Sequence, residues 1–413
     1  MSMTLAKSQA TGSLVSDSDL LRSLGLKPVI NARGDSSVLG QSRPSEAVIA
    51  AMAAAARNFV PAVEIQARAS KTIARVTGAE AGCLASGCSA CLYLAVVACM
   101  TGPDPSAMRR FPDTAGLRNE IVMHRVHRNA FDHAVRATGA RLVEFGLPIG
   151  LEDRPFRWEL EELITDRTAA VFYVHAPGSL ALPLRDTVEI AHRHKVPVIV
   201  DGAGSIPPPS NLRRFIDEGA DLVAYSGGKG VHGPSGVGFL AGRRDLILAA
   251  TVQQQDLNVR GDLWEGPLDE PESAYPLPPL QGAGRMLKVG REEMLGLIVA
   301  LEEYAAKDHE AERARFVRIA VRISDEIGKI SGVTTTMNDA GWMPSVSITL
   351  AGGLEAAREA FEELRQGEPR VYCHEAKLAS GVLMVSPSDL ADDEIEPLLG
   401  RLREVLGARS AGG

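Results

Sequence analysis

The chain has 413 residues, 45% of them hydrophobic and 23% charged, with a formal net charge of −8. That length supports a large core and one further, smaller domain, and the acidic balance leaves no general attraction for phosphate backbones, so nucleic acid is not the expected partner. No run of eighteen or more apolar residues marks a membrane span, and the start of the chain lacks a secretory or transit pattern, so a cytoplasmic protein is expected.

The elements follow in chain order. Residues 1–32 read as an N-terminal arm, with a short helix in "SDSDLLRSLG" and an extended piece leading into the body. From about Arg33 to Gly242, helix-length segments alternate with short apolar runs: "EIVMH", "ARLVEFG", "TAAVFYVH", "VPVIVDGA", "ADLVAYSGG" and "GVGFLAG". Runs of that length, rich in Val and Ile, are the pattern of parallel strands buried on both faces. An α/β domain with a mostly parallel sheet of six or seven strands is expected over 33–285. Residues 253–281 turn Pro-rich, Gly-rich and acidic without periodicity, which suits a functional or interface loop. Glu292 to Ile330 reads as one long amphipathic helix, with Leu295, Ile298, Val299 and Leu301 on its apolar face. Strand-like "PSVSITL", "PRVYCHE" and "GVLMVSP" with intervening helices complete a small α+β domain, so that 286–413 comprises the long helix and this domain.

Five cysteines, Cys83, Cys88, Cys91, Cys99 and Cys373, are an odd count with four crowded together. No second CxxC or His pair completes a zinc set around Cys88 and Cys91, and the flanking sequence is apolar, so buried thiols are expected.

The chemistry concentrates in "VPVIVDGAGSIPPPSNLRRFIDEGADLVAYSGGKGVHGPSGVGFLAG". A buried strand, 196–200, delivers Asp201 at its C-terminal end, where open α/β sheets place ligands. A second strand, 221–225, ends in Ser226, Gly227, Gly228 and Lys229. A carboxylate and an amine presented from two strand ends are what pyridoxal 5'-phosphate (PLP) chemistry asks for. The amine forms an imine with the cofactor aldehyde, and the carboxylate keeps the pyridine nitrogen protonated so that the ring accepts electrons. Gly227, Gly228 and Gly230 are expected to let the backbone approach the cofactor.

"DGAGSIPP", "SGGKGVHGP" and "GRMLKVGREEMLGLIVALEEY" resemble the selenocysteine-synthase-related branch of fold-type-I PLP enzymes, which includes seryl-tRNA selenium transferase and the D-glucosaminate-6-phosphate ammonia-lyase-like proteins. The resemblance covers the chain from about Asn31 onward. It implies an aspartate-aminotransferase-like fold, with a seven-stranded sheet and a small C-terminal domain. By that likeness Lys229 carries the imine, Asp201 meets the pyridine nitrogen, Ala203 lies under the ring and the protein is a homodimer or larger homo-oligomer.

Ser86, Gly87, Cys88 and Ser89 open a helix in "ASGCSACLYLA", and its first amides and hydroxyls suit a phosphate; Ser226 is a second phosphate candidate. His124, His127 and His133 follow the "EIVM" strand, and His127 is expected to stack on the pyridine face. No carboxylate or cysteine completes a metal set with them, and no metal is expected. His175 suits either a place near the cofactor 3-oxygen and substrate or a satisfied core histidine. Arg285, backed by Lys288, is the candidate for a substrate carboxylate, because a guanidinium offers two parallel donors. His232 suits either proton transfer or a phosphate contact across a subunit interface.

A tRNA substrate is unexpected on an acidic chain without a basic N-terminal domain, and a small amino-acid-type substrate is expected instead. Elimination by a lyase is the leading reading from the family likeness. An O2-using monooxygenase-decarboxylase of secondary metabolism, for instance on a glycyl-nucleoside, is the alternative; aldol cleavage and transamination follow. A non-catalytic PLP-binding protein is disfavoured, because Lys229, Asp201 and Arg285 are all present.

Overall fold

In a computed structural model that describes residues 17–146, 157–254, 264, 266, 268 and 282–410, the chain forms two compact units, Met1–Gly34 with Arg313–Gly413 and Asp35–Glu312. The strands in chain order are β1 (Ile30–Ala32), β2 (Ala81–Ala85), β3 (Glu120–His124), β4 (Arg141–Phe145), β5 (Thr168–Val174), β6 (Val198–Asp201), β7 (Leu222–Ser226), β8 (Gly238–Gly242), β9 (Val333–Asn338), β10 (Ser345–Leu350), β11 (Val371–Cys373) and β12 (Val382–Val385).

The larger unit holds a seven-stranded sheet in the order β2-β8-β7-β6-β5-β3-β4. Every pair is parallel except the two made by β8, which runs against its neighbours β2 and β7. The apolar runs predicted this sheet because its strands are covered on both faces: every residue of β2, β3, β6, β7 and β8 is buried. On one face Val198, Val200, Val223 and Phe239 pack with helices 62–77, 184–193 and 291–306. On the other, Ile199, Leu222, Ala224 and Leu240 pack with helices 88–101 and 244–254. Alternate residues of one strand thus serve opposite layers. Sequence reading missed β2, whose "AGCLA" lacks the β-branched residues that mark the other strands.

The helix expected over 292–330 is two helices, Arg291–Ala306 and His309–Ile327. Lys307 is extended, and Asp308 accepts the Ala311 N–H at 2.9 Å, which starts a second helix with its own cap. The buried face of the first is Met294, Leu297, Ile298, Leu301 and Tyr304. Most of the Pro-rich stretch lies outside the described residues; its Trp264 and Leu268 are buried against the second apolar layer.

The smaller unit contains the antiparallel sheet β12-β10-β9 and the parallel pair β1-β11, over a core that includes Ile30, Ile323, Ile348, Leu364 and Leu402. No described helix is long and apolar enough to cross a membrane.

Candidate active site

Asp201 ends β6 with its backbone locked on both sides. It pairs with Val174 of β5 and Ala224 of β7, its carbonyl accepts the His175 N–H at 3.0 Å, and the Gly202 N–H reaches Ala224 O at 2.9 Å. One carboxylate oxygen accepts the Ala203 N–H at 3.0 Å. Only 8% of the residue is exposed, and burial pushes its pKa above the ordinary carboxylate value. The Ala203 N–H and the nearby Lys229 charge oppose that push without cancelling it.

Lys229 follows β7 in a loop stapled to two other segments. The Gly227 N–H donates to Val237 O at 3.0 Å and the Gly233 N–H returns to Gly227 O at 2.8 Å. Ser42 donates its hydroxyl to the carbonyls of Gly228 (2.7 Å) and Lys229 (2.9 Å). The glycines around the lysine serve this packing. A Cβ on Gly228 would stand 2.1 Å from Gln41 Oε1 and 2.6 Å from Ser235 Cα, and one on Gly230 would stand 2.5 Å from Ile206 O. Backbone meets protein there.

The third component is the start of the helix Cys88–Thr101, entered through Gly87 at φ 86°. The first intrahelical bond on this end is Cys91 N–H to Gly87 O, so the amides of Cys88, Ser89 and Ala90 have no acceptor within the helix. β8 comes so near that a Cβ on Gly238 would lie 2.5 Å from the Gly87 carbonyl carbon. Cys88 Sγ lies 4.0 Å from Asp201 Oδ1, and burial keeps the thiol well above its ordinary pKa, as burial does for Cys83, Cys91, Cys99 and Cys373. Cys83, Cys91, Cys99 and Cys373 are buried packing groups, and Cys88 lies half-buried at the site.

The three components converge on one cavity of about 240 Å³, lined by Ser86, Gly87, Cys88, Ser89, Asp201, Ala203, Ser226 and Lys229. Sequence reading assembled that set. It missed Ser37, Gln41, Phe131 and Ser235, which line the wall together with Leu92. Their short motifs carry no signal of their own, since only the fold brings residues 37–41 beside the lysine loop. The lining suits PLP: an amine for the aldehyde, an acid for the ring nitrogen, and hydroxyls with a helix start for the phosphate. Among the described residues that line it, Lys229 and Asp201 are the only charged side chains.

The other candidates lie apart from that lining. His127 is buried against Tyr173, ring centroids 4.6 Å apart and edge-on, with neither ring nitrogen hydrogen-bonded. Burial, with a smaller contribution from His124, lowers its pKa to about 4, so the ring is neutral at pH 7. The aromatic side chain on the cavity wall is Phe131. His175 packs on Phe215 at 5.0 Å, and burial lowers its pKa. His232 adopts φ 57°, and its Nδ1 lies 3.3 Å from Arg43 O. Arg285 and Lys288 line a second cavity of about 360 Å³ with Gln66, Gln254 and Met294.

The aminotransferase class-V family model matches residues 120–262. The chain is 34% identical to a 5'-C-glycyluridine monooxygenase-decarboxylase from a Streptomyces species, over 93% of this chain and 91% of that one. It is 31% identical to D-glucosaminate-6-phosphate ammonia lyase of Salmonella typhimurium, over 94% and 98%. A solved structure of a D-glucosaminate-6-phosphate ammonia-lyase superposes with a TM-score of 0.79 at 30% identity, over 96% of this chain and 100% of that one. The chain therefore belongs to the fold-type-I, PLP-dependent enzymes, in the branch that contains the D-glucosaminate-6-phosphate ammonia-lyase-like proteins.

Proposed function

We propose that this enzyme is a lyase that eliminates a substituent from a small amino-acid-type substrate, working as a cytoplasmic homodimer. The shared cavity of Lys229, Asp201 and the Ser86–Ser89 helix start carries the cofactor assignment, and the likeness to D-glucosaminate-6-phosphate ammonia lyase along nearly the whole chain supports elimination. PLP, when bound, supplies an electron-accepting ring for the substrate Cα. Lys229 would provide the ε-amine for the cofactor aldehyde and would hold and move a proton at Nζ. Asp201 would hold the proton on the ring nitrogen. Its desolvated carboxylate binds a cationic N–H strongly, because little water competes. The amides of Cys88–Ala90 and the hydroxyls of Ser86 and Ser226 take the phosphate. Arg285, with Lys288, orients the substrate carboxylate by a two-donor fork. His127, behind the cavity wall in this structure, would reach the pyridine face only by a local shift, and it would do so as a neutral imidazole. His175 lies beside the Asp201 backbone and serves substrate positioning, and His232 relays protons at the loop surface.

Amino acids and amino sugar acids are to be screened for ammonia release and product mass, in air and without oxygen. Equal turnover in both supports elimination. The second reading, an O2-dependent monooxygenase-decarboxylase, draws on the 34% identity to the Streptomyces enzyme. It requires oxygen uptake on substrate addition, and turnover that persists without oxygen removes it. Loss of the cofactor's visible absorbance band in Lys229→Ala tests the lysine assignment, and a band that survives unchanged refutes it.

A further inference from the structure

Gln41 has no role in the assignments above, yet the fold holds it at the lysine. It is one of the few non-glycine residues with a left-handed backbone, at φ 68°, a conformation that costs on the order of 1 kcal/mol and persists only where surroundings impose it. The imposing contacts are on either side. The Gln41 N–H closes a turn onto Ser36 O at 2.8 Å, and the next residue, Ser42, is bonded through both its N–H (3.0 Å) and its hydroxyl to the Gly228 carbonyl. The side chain then lies on the cavity wall, with Oε1 against Gly228 and accepting the Ser226 hydroxyl at 3.4 Å.

That last contact conflicts with the chemistry of an anion. A serine has one hydroxyl hydrogen. While Ser226 gives it to Gln41, it has none for a phosphate, and among the described residues that line the cavity there is no arginine to take its place. A half-turn of the amide exchanges the roles: Nε2 donates to Ser226 Oγ, and the Ser226 hydrogen points into the cavity. Resting on the reading of this cavity as a PLP site, we infer that Gln41 is a positioning residue which turns the Ser226 hydroxyl toward the cofactor phosphate.

The test is cofactor affinity of the apo-chain, titrated with PLP and with pyridoxal, which lacks the phosphate. Gln41→Met keeps length and removes both hydrogen-bonding roles. PLP affinity should fall about 3- to 10-fold, the worth of one hydrogen bond, with pyridoxal affinity unchanged. Gln41→Glu, acceptor-only when ionised and negative beside the phosphate, should fall further. In a Ser226→Ala background, Gln41→Met should cost nothing more, since the group it orients is gone. The inference is overturned if either Gln41 variant binds PLP as the wild type does, if PLP and pyridoxal weaken together, or if the Met and Ala losses add. A wild-type chain that binds neither compound would sink the PLP reading itself.

Discussion

The Ser86 N–H donates to the Leu287 carbonyl at 3.1 Å, and Gln254 Nε2 donates to the same oxygen at 2.8 Å. The start of the proposed phosphate cradle is therefore tied to the segment that carries Arg285 and Lys288. Gln254 also accepts from Gln66 Nε2 at 3.0 Å, and Gln66 in turn bonds both backbone groups of Leu84. Gln254→Leu removes a donor from the half-buried Leu287 O and an acceptor from the buried Gln66. A loss of about 1–3 kcal/mol in urea unfolding is expected. An unchanged midpoint would mean that the network is slack.

Arg285→Ala separates the two cavities functionally. Since Arg285 lines the second cavity and not that of Lys229, the variant should keep the cofactor band while kcat/KM falls by roughly 10- to 100-fold, one charge-assisted pair being worth about 1.5–3 kcal/mol. Loss of the cofactor together with activity would contradict the assignment.

Asp201→Asn sets stability against function. Burial raises the Asp201 pKa, so near neutral pH the folded apo-chain holds a carboxylate less comfortably than the unfolded chain does. The amide removes that cost, and the apo-variant should unfold at the wild-type temperature or higher. Turnover should drop at least about 100-fold, because a neutral amide no longer holds the ring nitrogen protonated. Thermal unfolding and steady-state rates check the two halves independently.

His127 makes stability depend on pH in a definite direction. Its folded pKa of about 4 lies below the ordinary 6.5, so between those values the unfolded chain binds the extra proton. Stability is full above 6.5 and is lost as pH falls toward 4, by an amount on the order of 1–3 kcal/mol; His124 adds in the same direction. His127→Phe should flatten the unfolding profile across this window, and a variant as acid-sensitive as the wild type would reject the assignment.

Gly228→Ala tests the lysine loop. The new methyl meets Gln41 Oε1 and the Ser235 backbone well inside contact distance, so the loop must shift. A destabilisation of about 1–3 kcal/mol with weakened PLP binding is expected, against wild-type behaviour if the loop yields freely.

The amino-acid sequence alone determined the sheet apart from β2, through Val- and Ile-rich runs whose two-sided burial requires continuous apolar stretches, and it determined Asp201 and Lys229 as strand-end groups. The helix start at Gly87 was legible only through the family resemblance, because a Ser-Gly turn before an apolar helix is common N-capping. Only the tertiary structure decided that Gln41, Phe131 and Ser235 share the cavity and that Arg285 and Lys288 line another. It also brought β1 beside β11, pairing Ile30 with Val371. Periodicity reports what each segment must bury against something, whereas the identity of that something depends on loop paths and on hydrogen bonds between residues far apart in the chain, such as Ser42 to Gly228.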